Sequence, residues 1–390
     1  MKEISIIAAT FYGNRGAEAM LSTTIAAIKT GYEGSIKFNV FSYYPSQDKK
    51  LVSNTNVVVY SSKPAYLTLI LLPCAFLYRF LVMIKLKAIT GFMPQSVQAL
   101  SRSKVLICLA GVSFVASRIR FMPFNIVTIL PAMLLGVPVV KFAQALGPFG
   151  GKVSRFASRI FLKNCEKIFT RGGLTHSNLQ ELLGSNLNYE RADDIAFLFK
   201  PEFCLSLSNE AIEKELSKLQ RDRTDRKFVV GVCPSAVIAN QAHANGRNYV
   251  QNIAHLINYL AHKDYVVALY PNATRSEDMN KTHNNDLPLL NDIVNNLAPE
   301  TKDKILKFSG PLNAADMYQI INSCDTHLVS RFHAMVTALS SKIPVLVIGW
   351  GHKYLEVMES FGQADMVVDY RKGDQNSILM SLEYLIDNRI

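Results

Sequence analysis

Thr326-His327-Leu328-Val329-Ser330-Arg331-Phe332-His333-Ala334-Met335-Val336-Thr337-Ala338-Leu339 reads as a short apolar strand running straight into an apolar helix. A strand feeding a helix through so short a turn is half of a βαβ unit. The same alternation recurs on both sides of it. Downstream come strands at Val345–Ile348 and Met366–Val368, then a closing helix at Ser377–Ile390. Upstream come Phe228–Cys233, Tyr265–Tyr270 and Ile305–Phe308. An earlier series occupies the first half, at Ile4–Ala8, Lys37–Phe41, Val57–Tyr60, Val105–Leu109, Val137–Phe142 and Lys167–Thr170. Short apolar runs between helix-length amphipathic segments predict parallel sheets wrapped by helices, an α/β fold. The charged stretch from Ser206 to Lys227, with a solvent-exposed helix over Glu210–Asp222, separates the two series. The expected organisation is therefore two Rossmann-like domains, 1–205 and 228–390, joined by a linker helix at 206–227. Ligands are expected in a cleft at the carboxyl ends of the strands.

Length and composition agree. The chain has 390 residues, 49% apolar and 19% charged, enough to bury two ordinary cores. A formal net charge of +11 favours anionic partners: phosphorylated substrates, anionic lipid headgroups or nucleic acid. Nucleic acid ranks last, because the basic residues are spread out and no RNA-recognition signature, zinc-knuckle spacing or Arg-rich helix occurs. The six cysteines (Cys74, Cys108, Cys165, Cys204, Cys233 and Cys324) show no CxxC spacing and suit a reduced chain with buried thiols rather than a metal site. The N-terminus, Met1-Lys2-Glu3-Ile4-Ser5-Ile6-Ile7, reads as a strand and lacks a signal peptide's apolar core, so the expected location is the cytoplasm.

One segment does not read as part of a soluble sheet. Tyr66–Ile84 carries a single charge, Arg79, and is followed by Lys85 and Lys87. Pro73 and Arg79 interrupt what would otherwise approach a membrane span. Three readings are open for the 64–90 region: a buried or domain-packing helix, a monotopic helix or hairpin lying in the membrane interface with lysines at the headgroups, or a spanning helix. The run Phe121–Val140 is cut by Pro123, Pro131 and Pro138 and reads as core.

Four turns could carry chemistry. Thr10-Phe11-Tyr12-Gly13-Asn14-Arg15-Gly16-Ala17-Glu18 leads from the first strand into a helix, where glycines let backbone N–H groups approach an anion. It offers Asn14, Arg15 and Glu18, or it is a plain tight turn. Gln144, in Ala143-Gln144-Ala145-Leu146-Gly147-Pro148, has both donor and acceptor capacity in a loop directly after a strand. Arg171, at the end of its strand and ahead of Gly172 and Gly173, is either a bidentate anion fork or half of a surface ion pair. Asp193 and Asp194 follow; such paired acids can bind metal or act in acid–base work, and a helix cap or a pairing with Arg171 is the preferred reading. In the opening stretch, Arg331 and His333 bracket a helix start whose dipole favours anions, with histidine suited to proton transfer near neutrality. Lys353, in Gly349-Trp350-Gly351-His352-Lys353-Tyr354, adds a cation, whereas Asp325 and His327 face elsewhere.

Taken in order, Gly13-Asn14-Arg15-Gly16-Ala17-Glu18-Ala19, Gln144-Ala145-Leu146-Gly147-Pro148, Thr170-Arg171, Asp194-Ile195-Ala196, Arg331-Phe332-His333-Ala334 and Pro344…Lys353 resemble the polysaccharide pyruvyl transferase family over most of the chain. The resemblance implies a GT-B-like fold, two Rossmann-like domains facing a central cleft. It also implies transfer of the enolpyruvyl carbons of phosphoenolpyruvate to two hydroxyls of a sugar as a cyclic ketal, with no cofactor and no metal. On that reading His333 is the proton donor and Arg331, Arg171 and Lys353 hold the donor's anionic groups. Asn14, Arg15, Glu18, Gln144 and Asp194 complete the substrate-binding set. The acceptor expected is a lipid-linked oligosaccharide of surface polysaccharide assembly, reached from the inner membrane face. The chain departs from the family pattern at Ala17, Gly172, Ile195 and Cys233-Pro234-Ser235. Two other functions fit the same residues: a GT-B glycosyltransferase using a nucleotide sugar, and a non-catalytic membrane-associated scaffold.

Overall fold

The computed structural model describes the whole chain except residues 53, 186–187, 207–209, 226, 276–278, 280–283, 350–351, 372–374 and 389–390. Its contacts divide into two units, Met1–Tyr12 with Met20–Ile195, and Gly13–Ala19 with Ala196–Ile390.

The first unit is built on β1 (Lys2–Ile7), β2 (Ile36–Ser42), β3 (Val57–Ser61), β4 (Ser103–Cys108), β5 (Val112–Ser113), β6 (Val139–Leu146), β7 (Lys167–Thr170) and β8 (Tyr189–Arg191). They form a parallel sheet of order β3-β2-β1-β4-β6-β7-β8, with β5 paired to β6. The second unit is built on β9 (Val229–Cys233), β10 (Val266–Leu269), β11 (Ile305–Lys307), β12 (Thr326–Val329), β13 (Val345–Gly349) and β14 (Val367–Asp369). Its order, β11-β10-β9-β12-β13-β14, is the doubly wound arrangement. All five residues of β9 and all four of β12 are buried, as strands covered by helices on both faces must be.

Twelve strands overlap the segments expected, with ends that differ by a few residues. The two unforeseen ones have little apolar signal: β5 has two residues, and β8 is an edge strand of sequence Tyr-Glu-Arg. β6 runs past its expected end at Phe142 to Leu146, through a register shift at Ala143, whose φ of 49° lies in the left-handed region. Gln144 therefore lies inside a strand and not in a loop.

The domain boundaries differ from the sequence-based ones in two places. Residues 196–205 and the loop Gly13–Ala19 group with the second unit. The Glu210–Thr224 helix is also no exposed linker: Ile212, Leu216 and Leu219 recur on one face, are buried, and the helix packs on the Ala314–Asn322 helix. Residues 207–209 and 226 of the expected linker lie outside the described residues, as do 389–390 of the closing helix, which spans Gln375–Asn388.

The apolar segment is helical from Pro64 to Met83, with a π-helical turn at Leu67–Leu71 just before Pro73. It is long and apolar enough to cross a membrane. Leu67, Leu71 and Leu81 nevertheless belong to the first unit's core, together with Val97, Phe114 and Ile129. Only a narrow stripe of the helix is covered, so it is not a fully buried packing helix.

Candidate active site

In the second sheet the strand order reverses between β9 and β12, and ligands of doubly wound sheets bind beyond the carboxyl ends there. The chain leaves β12 at Val329, passes Ser330, and enters the Phe332–Ser340 helix with Arg331 as its N-cap in extended conformation. Within that helix only His333 and Ser340 are not buried, which makes His333 the polar side chain presented at its start. Ser330 fixes the turn. Its N–H donates to Cys233 O (2.8 Å), its hydroxyl accepts from Tyr249 (2.7 Å), and its carbonyl accepts from the Tyr354 hydroxyl (3.2 Å).

The loop after β1 arrives at the same place. Asn14 caps the Arg15–Thr30 helix, its Oδ1 accepting from the N–H groups of Gly16 (3.0 Å) and Ala17 (3.3 Å). Two backbone bonds tie this loop to the turn beyond β10: Arg15 N–H to Asn272 O (3.0 Å) and Thr274 N–H to Gly13 O (3.1 Å). Gly16 then lies directly against the imidazole of His333. A Cβ at Gly16 would sit 2.0 Å from His333 Nδ1 and 2.6 Å from His333 Cβ, so nothing larger than hydrogen fits.

The arginines here are held by buried acids. Arg15 pairs with Glu18 at 2.8 Å and donates to the Leu312 carbonyl. Glu18 also accepts from the Ser206 hydroxyl and the Cys204 thiol; burial pushes its carboxyl above the ordinary range, against the pull of Arg15. Arg331 donates to the Asp286 carboxylate and to Asn284 Oδ1 (2.8 Å). Asp286 in turn accepts from the N–H groups of Ala236 (2.9 Å), Ala273 (2.8 Å) and Asn272 (3.2 Å). Burial disfavours the Arg331 charge, and Asp286 more than offsets this, holding the guanidinium above its ordinary pKa. Arg275, also buried, donates to the Asn284 carbonyl and lies beside Gly13. Lys353 sits over the rings of Phe332 (5.2 Å) and Tyr354 (4.9 Å), and Phe332 is edge-on to His333 (5.3 Å). Trp350 and Gly351 of that motif lie outside the described residues.

Asn14, Arg15, Glu18, Arg331, His333 and Lys353 are thus gathered in the second unit. Gln144, Arg171 and Asp194 form a separate group in the first. Gln144 is buried with both ends of its amide engaged, accepting from Ser113 Oγ (2.7 Å) and donating to Cys108 O (2.5 Å). Arg171 pairs with Asp194 at 2.5 Å and donates to Gly111 O (3.2 Å). Both partners are buried, so this is an internal brace and not a surface salt bridge. Gly172 has a φ of 89° at the cap of the next helix, a left-handed backbone that residues with a side chain disfavour. Asp325 and His327 do face elsewhere: Asp325 accepts from Val229 N–H (2.8 Å), and His327 is buried beside Tyr270.

Sequence reasoning missed Arg275, Asn284 and Asp286. The pair Asn285-Asp286 ahead of Leu287-Pro288-Leu289-Leu290 carries a helix-start signature, and Asn285 does cap that helix. Nothing in the spacing tells that Asp286 meets Arg331, 45 residues later.

A family model for polysaccharide pyruvyl transferase matches residues 14–352. The chain belongs to that family. This pyruvyl transferase is accordingly a transferase enzyme, and the match opens at Asn14, in the loop that meets His333. No curated protein sequence matches it. Among solved structures it is similar to S. aureus MnaA bound to UDP, with 12% identity, a TM-score of 0.59, and coverage of 99% of this chain and 88% of that one. It is also similar to UDP-GlcNAc 2-epimerase from Neisseria meningitidis bound to UDP-GlcNAc (13%, 0.56, 99% and 92%) and to Anabaena Alr3699/HepE with UDP-glucose (11%, 0.53, 100% and 90%). At these identities the likeness is one of fold, and the pyruvyl transferase has a GT-B-like fold of two parallel-sheet α/β domains.

Proposed function

We propose that this enzyme transfers pyruvate from phosphoenolpyruvate to two hydroxyls of a lipid-linked saccharide, forming a cyclic ketal during surface polysaccharide assembly. The observation that carries the reading is the placement of His333 against Gly16, within a turn cluster that holds Arg15, Arg275 and Arg331. Membership of the family supports the reaction class.

Phosphoenolpyruvate brings a carboxylate and a phosphate, which call for fixed cations at one end of a polar turn cluster. Arg331, oriented by Asp286 and Asn284, and Lys353, steadied by two rings, are assigned to them. His333 gives a proton to the methylene carbon, whose π electrons form the new C–H bond and leave an oxocarbenium-like centre. One sugar hydroxyl adds there, and a second displaces phosphate. Of the two hydroxyl protons released, one replaces that given to the methylene carbon and the other leaves with phosphate. Electrons balance without an oxidant or reductant.

The test is phosphate release from phosphoenolpyruvate with and without a sugar acceptor. Release is expected only with acceptor, and His333→Ala is expected to slow it at least a hundredfold. A His333→Ala enzyme of normal rate overturns the assignment. Thermal stabilisation by UDP, and none by phosphoenolpyruvate, would favour a nucleotide-sugar donor instead.

A further inference from the structure

The positive charge is not spread evenly along the chain. From Lys49 to Cys165 there are fifteen Lys and Arg residues and no Asp or Glu, and the rest of the chain is net acidic. All of the excess therefore belongs to the first unit, around the apolar Pro64–Met83 helix.

That helix has two faces in burial but not in chemistry. Leu67, Leu71, Ala75 and Leu81 are buried against the unit. The opposite face, Leu69, Phe76, Leu77, Phe80 and Met83, is equally apolar and stands exposed, with Leu69 at 75% and Met83 at 71%. A helix bordering water normally carries polar residues there. The apolar surface continues past the helix to Phe92, which is 92% exposed on a short 3₁₀ segment, Lys87–Phe92. A second exposed segment alternates charge with apolar groups, Arg118-Ile119-Arg120-Phe121. It leads into the Met122–Val127 helix, whose Met122 and Val127 share a core with Leu67, Leu71 and Leu81. Arg79, Lys85 and Lys87 are exposed beside this apolar surface.

We propose that this face of the first unit docks onto an anionic bilayer, with the Pro64–Met83 helix lying in the interface and the lysines and arginines at the headgroups. Charge selects the occupant: an apolar face set in a region with no acidic residue matches an anionic lipid surface and opposes a second copy of itself. The helix does not span, because its buried stripe is part of the unit's core. Docking follows from the first unit's own surface and does not depend on the donor or the acceptor.

The experiment is flotation of the full chain with vesicles of phosphatidylglycerol and phosphatidylcholine, against vesicles of phosphatidylcholine alone, without donor or acceptor. Binding is expected to the anionic vesicles, at least tenfold weaker to the neutral ones, and weakened by high salt. A variant carrying Leu69→Gln, Phe76→Gln, Phe80→Gln and Met83→Gln is expected to lose at least tenfold in binding. Lys85→Ala with Lys87→Ala, which leaves the helix untouched, is expected to lose about fivefold per residue. Failure to float with either vesicle overturns the proposal, as does unchanged binding by both variants. A self-association of the wild type that the glutamine variant abolishes, with no vesicle binding, also overturns it and assigns the face to a second copy.

Discussion

Gly16 and His333 lie in van der Waals contact although 317 positions separate them, and a Cβ at residue 16 would come within 2.0 Å of the imidazole Nδ1. The atoms in the way include the ring and His333 Cβ, so the side chain as a whole has to move. A glycine that reads as turn chemistry in the first strand-to-helix loop thus sets where the imidazole can stand.

Gly16→Ala is therefore expected to displace His333 and lower kcat by roughly 100-fold, the scale of a misplacement of about 1 Å in a catalytic group. Overpacking adds a stability loss of about 1–3 kcal/mol. Steady-state kinetics beside a thermal melt checks this; an unchanged kcat would detach His333 from the chemistry.

Asp286→Ala leaves the buried Arg331 charge and three backbone N–H groups without their acceptor. Breaking one side of a buried ion pair costs about 3–5 kcal/mol. Denaturation of the single variant, of Arg331→Gln and of the double variant measures this. The double variant is expected to lose less than the two singles together.

Gln144 and Arg171 show the limit of reading sites from sequence. The turn order, the two parallel sheets and the residues of the His333 turn were all legible, because strand-to-helix punctuation is local. What Gln144 does was not, since its partners are Ser113 and the Cys108 carbonyl, 31 and 36 residues away. The same holds for Asp286, and for the helix over Glu210–Thr224, whose buried stripe is diluted by charge. Long-range pairing leaves no periodic trace.

Gln144→Ala is accordingly expected to cost about 1–3 kcal/mol through unpaired buried groups. The donor KM should stay within about twofold, since the buried amide is held at its oxygen by Ser113 and at its nitrogen by the Cys108 carbonyl. A selective rise in KM at unchanged stability would return Gln144 to the binding set.

His327 makes stability depend on acidity. A carbonyl can only accept, so Nε2 donates to Ile321 O (3.0 Å) and Nδ1 accepts from the Tyr270 hydroxyl (3.1 Å). Burial lowers its pKa to about 4 from the ordinary 6.5. Between these values the unfolded chain binds a proton that the folded chain refuses. Stability therefore rises with pH, and its His327 share, on the order of 3 kcal/mol, is lost as pH falls from 6.5 to 4. The buried Glu18 and Asp48 carboxyls, raised by burial, act in the opposite sense above about pH 4.5, so the comparison must be with His327→Gln. Urea denaturation at pH 5 and pH 7 should show a smaller rise in stability with pH, or a fall, in the variant; parallel slopes would exclude His327 as the source.

The reaction itself is tested most directly by running the enzyme with phosphoenolpyruvate and a lipid-linked oligosaccharide in D₂O and examining the glycan by mass spectrometry and NMR. Protonation of the methylene carbon predicts one pyruvate ketal per acceptor, carrying a single deuterium in its methyl group. A glycan that gains no ketal, or a ketal whose methyl group holds no deuterium, would contradict the account.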